Sequence, residues 1–252
     1  MKSNLEWKKW GEIDPLYAVA TWKGKERGSH QAWTDEEFYE LGRTDWAQFE
    51  MQWRQYGLQQ GRCLEIGCGA GRVTAHLAKS FTHVTAVDVS QHQLDYAIAR
   101  IQTANISFKL TDGINLPVPS GQVDAVFSVY VFQHFESRAD ALRVFSEIYR
   151  VLVKGGTLMI GLPFYELPDS SLRSIFRPMI AGFERLSDLK AAFNRRLILK
   201  GKWRPMMRRL RFEQAWLVNA LQGLHFGRIE FRSFQPQPGG DFVGFVFATK
   251  SP

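Results

Sequence analysis

The sequence predicts an α/β fold with a doubly wound, mostly parallel sheet of seven strands. Within residues 61–162, apolar runs of strand length alternate with amphipathic segments of helix length, a pattern typical of a parallel sheet between helices. Near the C-terminus, two more apolar runs are separated only by the turn-forming stretch QPQPGGD, residues 235–241. So short a connection predicts an antiparallel hairpin at one edge of the sheet.

The central part of the chain supplies most of the predicted elements. We predict strands at 62–66, 83–88, 106–110, 125–130 and 157–162. We predict helices at 71–80, 91–103 and 137–151. The stretches 227–234 and 242–250 form the closing hairpin and complete the sheet.

We interpret residues 1–252 as a single domain with four parts. Residues 1–60 are rich in tryptophan and form an N-terminal helical cap, packed on the sheet or over its ligand edge. Residues 61–162 form the core that binds the ligand. Residues 163–212 form a helical insertion that covers the substrate, and residues 213–252 form a closing helix and the hairpin.

The insertion differs from the rest of the chain in its charge. Residues 163–211 contain twelve Lys or Arg against four Asp or Glu, a net charge of +8. The whole chain carries +7, so all other residues together sum to about −1. Such local positive charge predicts an anionic partner. We expect a small-molecule acceptor, or less readily a nucleic acid, whose binding would weaken steeply with salt.

Composition predicts a folded cytoplasmic protein. The longest uncharged stretches, 125–135 and 215–227, are shorter than the roughly 20 apolar residues of a membrane helix. The first residues, MKSNLEWKKW, carry charge and tryptophan where a secretory signal has a continuous apolar run. Cys63 and Cys68 fit neither a disulfide framework nor a metal pattern, so we expect reduced thiols and no metal.

The stretch CLEIGCGAGRVTAHL, residues 63–77, places three glycines directly after the first predicted strand. Glycines at this position let a ligand approach the backbone closely. Glu65 directs negative charge into the same space, which would repel a pyrophosphate and attract a cationic amino group. A carboxylate on that ligand could accept backbone N–H groups at the start of the next helix. The stretch therefore predicts a site for the amino-acid end of a ligand.

Asp88 closes the second predicted strand, where an acid typically hydrogen-bonds ribose hydroxyls. A ligand with both an amino acid and a ribose is S-adenosylmethionine. At this point the chain resembles the class I S-adenosylmethionine-dependent methyltransferases, over about residues 61–162. The matching motifs, in order along the chain, are LEIGCGAG, AVDVS, TDGINLPVPSGQVDAVFSVYVFQHF and EIYRVLVKGGTLMI.

The resemblance implies a Rossmann-like methyltransferase fold that binds S-adenosylmethionine and its product, S-adenosylhomocysteine. The implied cofactor residues are Glu65, Gly67, Cys68, Gly69, Gly71, Asp88, Val89, Asp112, Gly113, Ile114 and Ser128. Glu65 and the backbone of residues 67–71 would hold the methionine, and Asp88 would hold the ribose. Val89 would pack on the adenine. Asp112 would accept from the adenine amino group, or serve only as a turn residue.

Methyl transfer requires a nucleophile held in line behind the methyl group and shielded from water. His134, just past the fourth strand, is the candidate base for an acceptor hydroxyl, because imidazole titrates near neutral pH. A structural role for His134 is the alternative. Tyr130 is the second catalytic candidate, and Tyr17 and Tyr165 are candidate substrate-binding hydroxyls.

The predicted function is methyl transfer to a small-molecule or saccharide acceptor, at a hydroxyl oxygen of an anionic substrate. Arg208 and Arg211 are candidate acceptor-binding residues, because their spacing places them on one helical face. The chain has no Asn/Asp-Pro-Pro-Tyr, no Pro-Cys and no Tyr-x-x-x-Lys, motifs of nucleic-acid base methylation and dehydrogenation. N- or C-methylation, and a cofactor-binding module that binds nucleic acid, remain as alternatives.

Overall fold

The computed structural model describes residues 3–167 and 210–251, together with five single positions between these ranges. These positions, which are helical and exposed, are Gly182, Leu186, Leu189, Lys190 and Phe193. Apart from these five positions, residues 168–209 of the predicted insertion lie outside the described residues. None of the helices in the described part combines the length and hydropathy of a membrane-spanning segment.

A seven-stranded sheet forms the centre of the molecule. Its strands are β1 (Arg62–Ile66), β2 (His83–Asp88), β3 (Ile106–Leu110), β4 (Val123–Ser128), β5 (Leu152–Gly161), β8 (Phe226–Phe234) and β9 (Val243–Lys250). The order is β3-β2-β1-β4-β5-β9-β8, with parallel pairing through β5 and antiparallel pairing of β9 with both β5 and β8. This confirms the predicted doubly wound sheet and its edge hairpin.

Helices cover both faces of the sheet. The helices are α1 (Asn4–Ile13), α2 (Pro15–Val19), α3 (Asp35–Tyr56), α4 (Thr74–Ser80), α5 (Gln91–Arg100), α6 (Arg138–Val151) and α7 (Gln214–Gly223). One hydrophobic core contains buried residues of α3, α4 and α5, and the other contains buried residues of α6 and α7. The molecule therefore has three layers, with the sheet between two layers of helices.

Helix α3 shows how the N-terminal region is attached to the sheet. Its first residue follows Thr34, whose hydroxyl accepts from Glu37 N, while the Glu37 side chain accepts from Thr34 N in a capping box. The helix buries one aromatic face, and Trp53 Nε1 on that face donates to Thr157 Oγ1 of β5 at 3.0 Å. It ends at Gly57, whose φ of 118° is readily accessible only to glycine. These contacts hold α3 rigidly beside the ligand edge.

The structure differs from the predicted elements at several ends. The helix predicted at 71–80 begins at Thr74, because Gly71 has a φ of 82° and is not helical. The strand predicted at 125–130 ends at Ser128, because Tyr130 has a φ of 61°. Two short strands, β6 (Phe164–Tyr165) and β7 (Phe212–Glu213), pair in parallel and were not predicted. They bring the two ends of residues 163–212 together.

Candidate active site

A cavity of about 930 Å³ lies at the carboxyl ends of β1, β2 and β4. Glu65 in β1, Asp88 in β2 and Tyr130 after β4 line it. Trp7 of α1 and Gln237 of the loop between β8 and β9 line other parts of its wall. Because the carboxyl ends of parallel strands meet at one edge of the sheet, this is the edge at which the fold places ligands.

The glycine loop after β1 has a backbone that other residues rarely adopt. Gly67, Gly69 and Gly71 have φ values of 74°, 53° and 82°. A Cβ atom on Gly69 would lie 2.5 Å from Val19 Cγ2 of α2. The glycines therefore allow both the turn and the close approach of α2 to the loop.

Most of the loop's N–H groups are already engaged within the protein. The N–H groups that donate to protein oxygen atoms are those of Gly67, Cys68, Gly69 and Gly71. The first two share the carbonyl oxygen of Val87, at 2.8 and 3.1 Å. Of residues 67–71, only Ala70 keeps an N–H group without a protein acceptor among the described residues, and the expected contact of this backbone with the ligand carboxylate stays a prediction.

Glu65 is buried at the floor of the cavity. Its Oε2 accepts from Thr74 Oγ1 at 2.6 Å. Burial raises the pKa of Glu65 to about 7, the hydrogen bond from Thr74 and the positive charge of Arg72 lower it, and the negative charge of Asp88 raises it. A cationic group bound beside Glu65 would favour its ionised form.

Asp88 ties the end of β2 to the glycine loop. Its Oδ2 accepts from Gly69 N and its Oδ1 from Ser90 N, both at 2.9 Å. Burial raises the pKa of Asp88, and these backbone hydrogen bonds lower it. Each carboxylate oxygen keeps a further lone pair, so Asp88 can accept two ligand hydroxyls without losing these bonds.

Gln93, in the first turn of α5, also lines the cavity and is buried. Its Nε2 donates to Pro15 O at 3.1 Å, which fixes the orientation of the amide. Its Oε1 is buried and has no hydrogen-bond partner among the described residues. An unsatisfied buried carbonyl is costly, so Gln93 Oε1 is an acceptor available to a ligand.

A second buried polar cluster lies in the same wall. Arg72 Nη1 donates to Asp45 Oδ2 of α3, and both side chains are almost fully buried. Gln237 Nε2 donates to Asp45 Oδ1 at 3.0 Å. Arg72 Nε is buried without a partner among the described residues. All three residues line the cavity, so this ion pair faces the ligand space.

Tyr130 lines the cavity beyond β4 in a left-handed backbone conformation, with a φ of 61°. Loss of solvent around its hydroxyl raises the pKa of Tyr130 to about 12, with a lowering effect of Arg72 and raising effects of Asp45 and Asp241. The hydroxyl therefore stays protonated at neutral pH. A protonated hydroxyl can donate a hydrogen bond to a substrate.

His134 ends a 3₁₀ helix, Phe132–His134, and also lines the cavity. Its ring meets Trp7 of α1 edge to face, with ring centroids 4.6 Å apart. Gln133 Nε2 lies 3.1 Å from His134 Nε2. An amide nitrogen only donates, so with the Gln133 amide in this orientation His134 Nε2 accepts the hydrogen bond. A nitrogen that accepts a hydrogen bond has the lone pair that a general base requires.

Comparison with known proteins shows which protein family the residues of this site resemble. Residues 64–160 match the family model described as "Methyltransferase domain". These residues form a methyltransferase domain similar to the class I S-adenosylmethionine-dependent enzymes. The match spans β1 to β5 and so contains Glu65, Asp88 and His134.

Relatives of the methyltransferase domain act on different acceptor atoms, according to their names. An O-methyltransferase of Pyrenophora dematioidea is 31% identical over 102 residues, covering 38% of this chain and 37% of that protein. The ajmaline N-methyltransferase of Rauvolfia serpentina is 29% identical over 102 residues, covering 38% of this chain and 34% of that protein. The alignments thus span about a third of these relatives' length.

A solved structure shares the fold over nearly the whole chain. It is the magnesium protoporphyrin IX methyltransferase of Synechocystis PCC 6803 with bound S-adenosylhomocysteine, with a TM-score of 0.58 and 16% identity. The match covers 97% of this chain and 98% of that one. At this identity the likeness shows the fold alone.

The residues of the methyltransferase domain fit S-adenosylmethionine. Glu65 offers a carboxylate to a cationic amino group, and Asp88 offers lone pairs to ribose hydroxyls. Two buried atoms, Gln93 Oε1 and Arg72 Nε, have no protein partner among the described residues, and both residues line the cavity. A ligand that carries both donors and acceptors would satisfy them.

Other predicted cofactor residues occupy different positions. Val89 and Gly113 line the cavity. The carboxylate of Asp112 accepts from Ile114 N at 2.8 Å and Asn115 N at 2.7 Å. Asp112 is exposed and is not among the described residues that line the cavity. Its contact with adenine remains a prediction, since this geometry is that of a turn residue. Ile114 likewise lies outside the described lining.

Ser128, the last residue of β4, is not among the described residues that line the cavity. Its Oγ donates to Ile66 O at 2.9 Å, and the side chain is fully buried. This bond joins the ends of β1 and β4. Ser128 therefore links the two strands here, and its contact with the cofactor stays a prediction.

The predicted substrate residues divide into two groups. Tyr17 donates to Glu26 Oε1 at 3.2 Å, and the Tyr165 hydroxyl accepts from Arg138 Nη2 at 3.4 Å. Neither tyrosine lines the described part of the cavity, and their roles as substrate-binding residues stay predictions. Arg211 does line the cavity and is exposed, whereas Arg208 lies outside the described residues.

Arg72, Asp45 and Gln93 are site residues that the sequence analysis missed. Arg72 follows Gly71 directly and stands within the quoted glycine stretch. Gln93 is a polar residue on the buried side of α5, only five residues after Asp88. Asp45, in α3, carried no local signal, because its partners come from distant parts of the chain.

Proposed function

We propose that this protein transfers the methyl group of S-adenosylmethionine to a hydroxyl oxygen of an anionic small-molecule or saccharide acceptor, in the cytoplasm. The observation that supports this most is that Glu65, Asp88 and His134 line the same cavity. We call the wall with Glu65, Asp88 and Gln93 the cofactor half. We call the wall with Trp22, Tyr130, His134, Arg211 and Phe242 the acceptor half.

The cofactor half would hold the adenosine and the methionine. Asp88 would accept the ribose hydroxyls, with its orientation fixed by Gly69 N and Ser90 N. Glu65 would accept the ammonium group of the methionine. S-adenosylmethionine supplies a methyl group that is electrophilic because it is bonded to a sulfonium.

His134 would take the proton of the acceptor hydroxyl. The proton would pass to Nε2 as the oxygen forms its bond to the methyl carbon and the carbon–sulfur bond breaks. Gln133 Nε2 must leave His134 Nε2 first, because it occupies the same lone pair. Trp7 would hold the imidazole plane and exclude water, since its ring contacts His134 directly.

The acceptor half combines aromatic surface with one exposed cation in its described part. Trp22, Tyr130 and Phe242 would contact the body of the acceptor. Arg211 would bind its anionic group at the mouth of the cavity. The buried acids Asp45, Glu65 and Asp88 also line the cavity, whereas Asp241, which lines it too, is exposed. An anionic group would therefore be favoured at the mouth rather than at the floor.

Methylation of an amine is the second candidate. Asp45 and Asp241 raise the pKa of Tyr130, which places negative charge near its hydroxyl. Such charge would attract a cationic amine acceptor. The ajmaline enzyme of Rauvolfia serpentina is named as an N-methyltransferase, whereas the Pyrenophora protein is named as an O-methyltransferase.

Transfer of labelled methyl groups tests the proposal. The purified protein is incubated with S-adenosylmethionine labelled in the methyl group and with host metabolites separated by anion exchange. We expect the label in a retained, anionic fraction, in a methyl ether that survives mild alkali. Label on nitrogen would favour the second candidate, and label on RNA would favour nucleic-acid methylation. Absence of S-adenosylhomocysteine binding in calorimetry would contradict both.

A further inference from the structure

Arg72 carries an unused donor at the wall of the cavity. The side chain is 4% exposed, and Nε is buried without a partner among the described residues. A buried guanidinium normally pairs all of its N–H groups, because an unpaired one is costly. The residue lines the cavity. The partner that Nε lacks in the protein would therefore come from a ligand.

Two residues keep the guanidinium in place. Asp45 Oδ2 accepts from Arg72 Nη1, and Asp45 Oδ1 accepts from Gln237 Nε2 at 3.0 Å. The Cβ atom that Gly42 lacks would lie 1.9 Å from the carbonyl oxygen of Arg72. Helix α3 thus packs directly on the loop that carries Arg72. The donor is fixed before a ligand arrives, so binding would cost little side-chain entropy.

Among residues 67–71, only the N–H group of Ala70 donates to no protein oxygen in the described part of the chain, so the loop offers a carboxylate few free donors. The N–H groups of Gly67, Cys68, Gly69 and Gly71 donate to oxygen atoms of the protein. Helix α4 begins only at Thr74. Arg72 lies between the loop and this helix, and is the nearest residue in sequence with an unpaired side-chain donor.

We infer that Arg72 Nε binds the carboxylate of the methionine part of S-adenosylmethionine, and that Asp45 is the residue that positions Arg72. The inference rests on the proposed cofactor. Glu65 and Arg72 would then complement the two charges of one amino acid, with Glu65 facing the ammonium group and Arg72 facing the carboxylate. The positive charge of Arg72 already lowers the pKa of Glu65, which shows that the two side chains share one electrostatic environment.

Two ligands separate this contact from the rest of the site. S-adenosylhomocysteine contains the amino-acid part, whereas 5′-methylthioadenosine contains the same adenosine and sulfur without it. Calorimetry measures both affinities for the wild type and for the double variant Arg72→Met/Asp45→Leu. The double variant replaces the whole buried pair with apolar residues, which proteins often tolerate better than the loss of one partner.

We expect the double variant to bind S-adenosylhomocysteine about 10- to 100-fold more weakly, the range of one lost hydrogen bond to a charged group. Its affinity for 5′-methylthioadenosine should stay within about threefold of the wild-type value. Equal weakening of both ligands, or unchanged affinity for both, would overturn the inference. An unchanged S-adenosylhomocysteine affinity with a raised acceptor KM would also overturn it, by assigning Arg72 to an acceptor carboxylate.

Asp45→Asn tests the positioning role separately. The amide keeps the shape of the side chain and removes the charge that holds the guanidinium. We expect the ratio of the two ligand affinities to fall towards that of the double variant, while circular dichroism stays native. A loss of folding alone would not change this ratio. If the wild type itself binds neither ligand, the proposed function fails, and this outcome is distinct from a failure at Arg72.

Discussion

The cofactor half of the cavity is formed by the ends of β1 and β2 and by the first turn of α5, whereas the acceptor half is formed by loops and a 3₁₀ helix. Glu65 and Asp88 are buried and hydrogen-bonded to neighbouring residues before any ligand binds. In the acceptor half, Tyr130 is 39% exposed, Trp22 47% and Phe242 70%. The side chains of the cofactor half are therefore fixed in one arrangement before a ligand binds. The acceptor half leaves exposed apolar surface that an acceptor could cover.

The halves also differ in how they use charge. The buried acids of the cofactor half have raised pKa values, caused first by burial. They therefore gain most from a cationic ligand or from hydroxyl donors. Arg211 in the acceptor half is exposed, so water and salt screen its charge. We therefore expect large effects from substitutions that change catalysis or cofactor binding, and small effects from substitutions at the mouth of the cavity.

His134 offers the largest expected effect. His134→Ala should lower kcat by about 10²- to 10³-fold, because a general base contributes in this range. Affinity for S-adenosylhomocysteine should stay within about twofold, since His134 belongs to the acceptor half. Steady-state kinetics and calorimetry measure the two quantities. The control is His92→Ala, on the exposed side of α5. Full activity of His134→Ala between pH 6 and 8 would assign His134 a structural role.

Asp88 offers the next largest effect. Asp88→Ala should weaken S-adenosylhomocysteine at least about 30-fold, because it removes the ribose acceptor and leaves Gly69 N and Ser90 N unpaired. The loss of these bonds should also lower the free energy of unfolding by about 2–4 kcal/mol. Asp112→Ala is the matched control at the other predicted acid. A similar loss of affinity in both variants would restore Asp112 as a cofactor ligand.

Much of the cofactor half could be predicted from the sequence, because its residues lie close together along the chain. Glu65, the glycines and Asp88 fall within 24 residues and follow consecutive strands. The Arg72–Asp45–Gln237 cluster could not be predicted, since Gln237 and Asp45 are 192 residues apart. Nor does sequence reveal that the loop's N–H groups are occupied. The contacts of Tyr17 with Glu26 and of Tyr165 with Arg138 could not be predicted either, because these partners come from the fold rather than from a motif.

The pH dependence of cofactor binding sharpens the electrostatic side of the comparison. The pKa of Glu65 is about 7 without ligand, and a cationic amino group favours the ionised form. Affinity for S-adenosylhomocysteine should therefore rise about tenfold between pH 6 and pH 8. The groups that act on Glu65 are Thr74, Arg72 and Asp88. Calorimetry of Glu65→Gln should give weaker binding that is nearly independent of pH. A steep profile in that variant would assign the titration to another group.

The free energy of unfolding should change in the opposite direction. Without ligand, folding raises the pKa of Glu65 from 4.5 to about 7. The folded state therefore binds this proton more tightly than the unfolded state does. The contribution of Glu65 to stability is present in full below about pH 4.5 and is lost as the pH rises to about 7. Denaturant unfolding of Glu65→Gln should lack this decline, and an identical decline in both proteins would contradict the assignment.

The smallest expected effect is at the mouth of the cavity. Arg211 is exposed and lines the cavity. It lies just before β7 and is not helical, so the helical face predicted for it and Arg208 is wrong at Arg211, whereas Arg208 lies outside the described residues. Replacing both with Gln should raise the acceptor KM by about three- to tenfold and leave kcat nearly unchanged, because exposed ion pairs contribute little each. The increase should shrink at high salt, because salt screens exposed charges.

The matched control is Arg143→Gln, which changes an exposed arginine of α6 that is not among the described residues lining the cavity. If the acceptor KM of the double variant equals that of the wild type at low salt, the acceptor's anionic group does not bind at the mouth. The acceptor half would then select its substrate through the aromatic surface of Trp22, Tyr130 and Phe242.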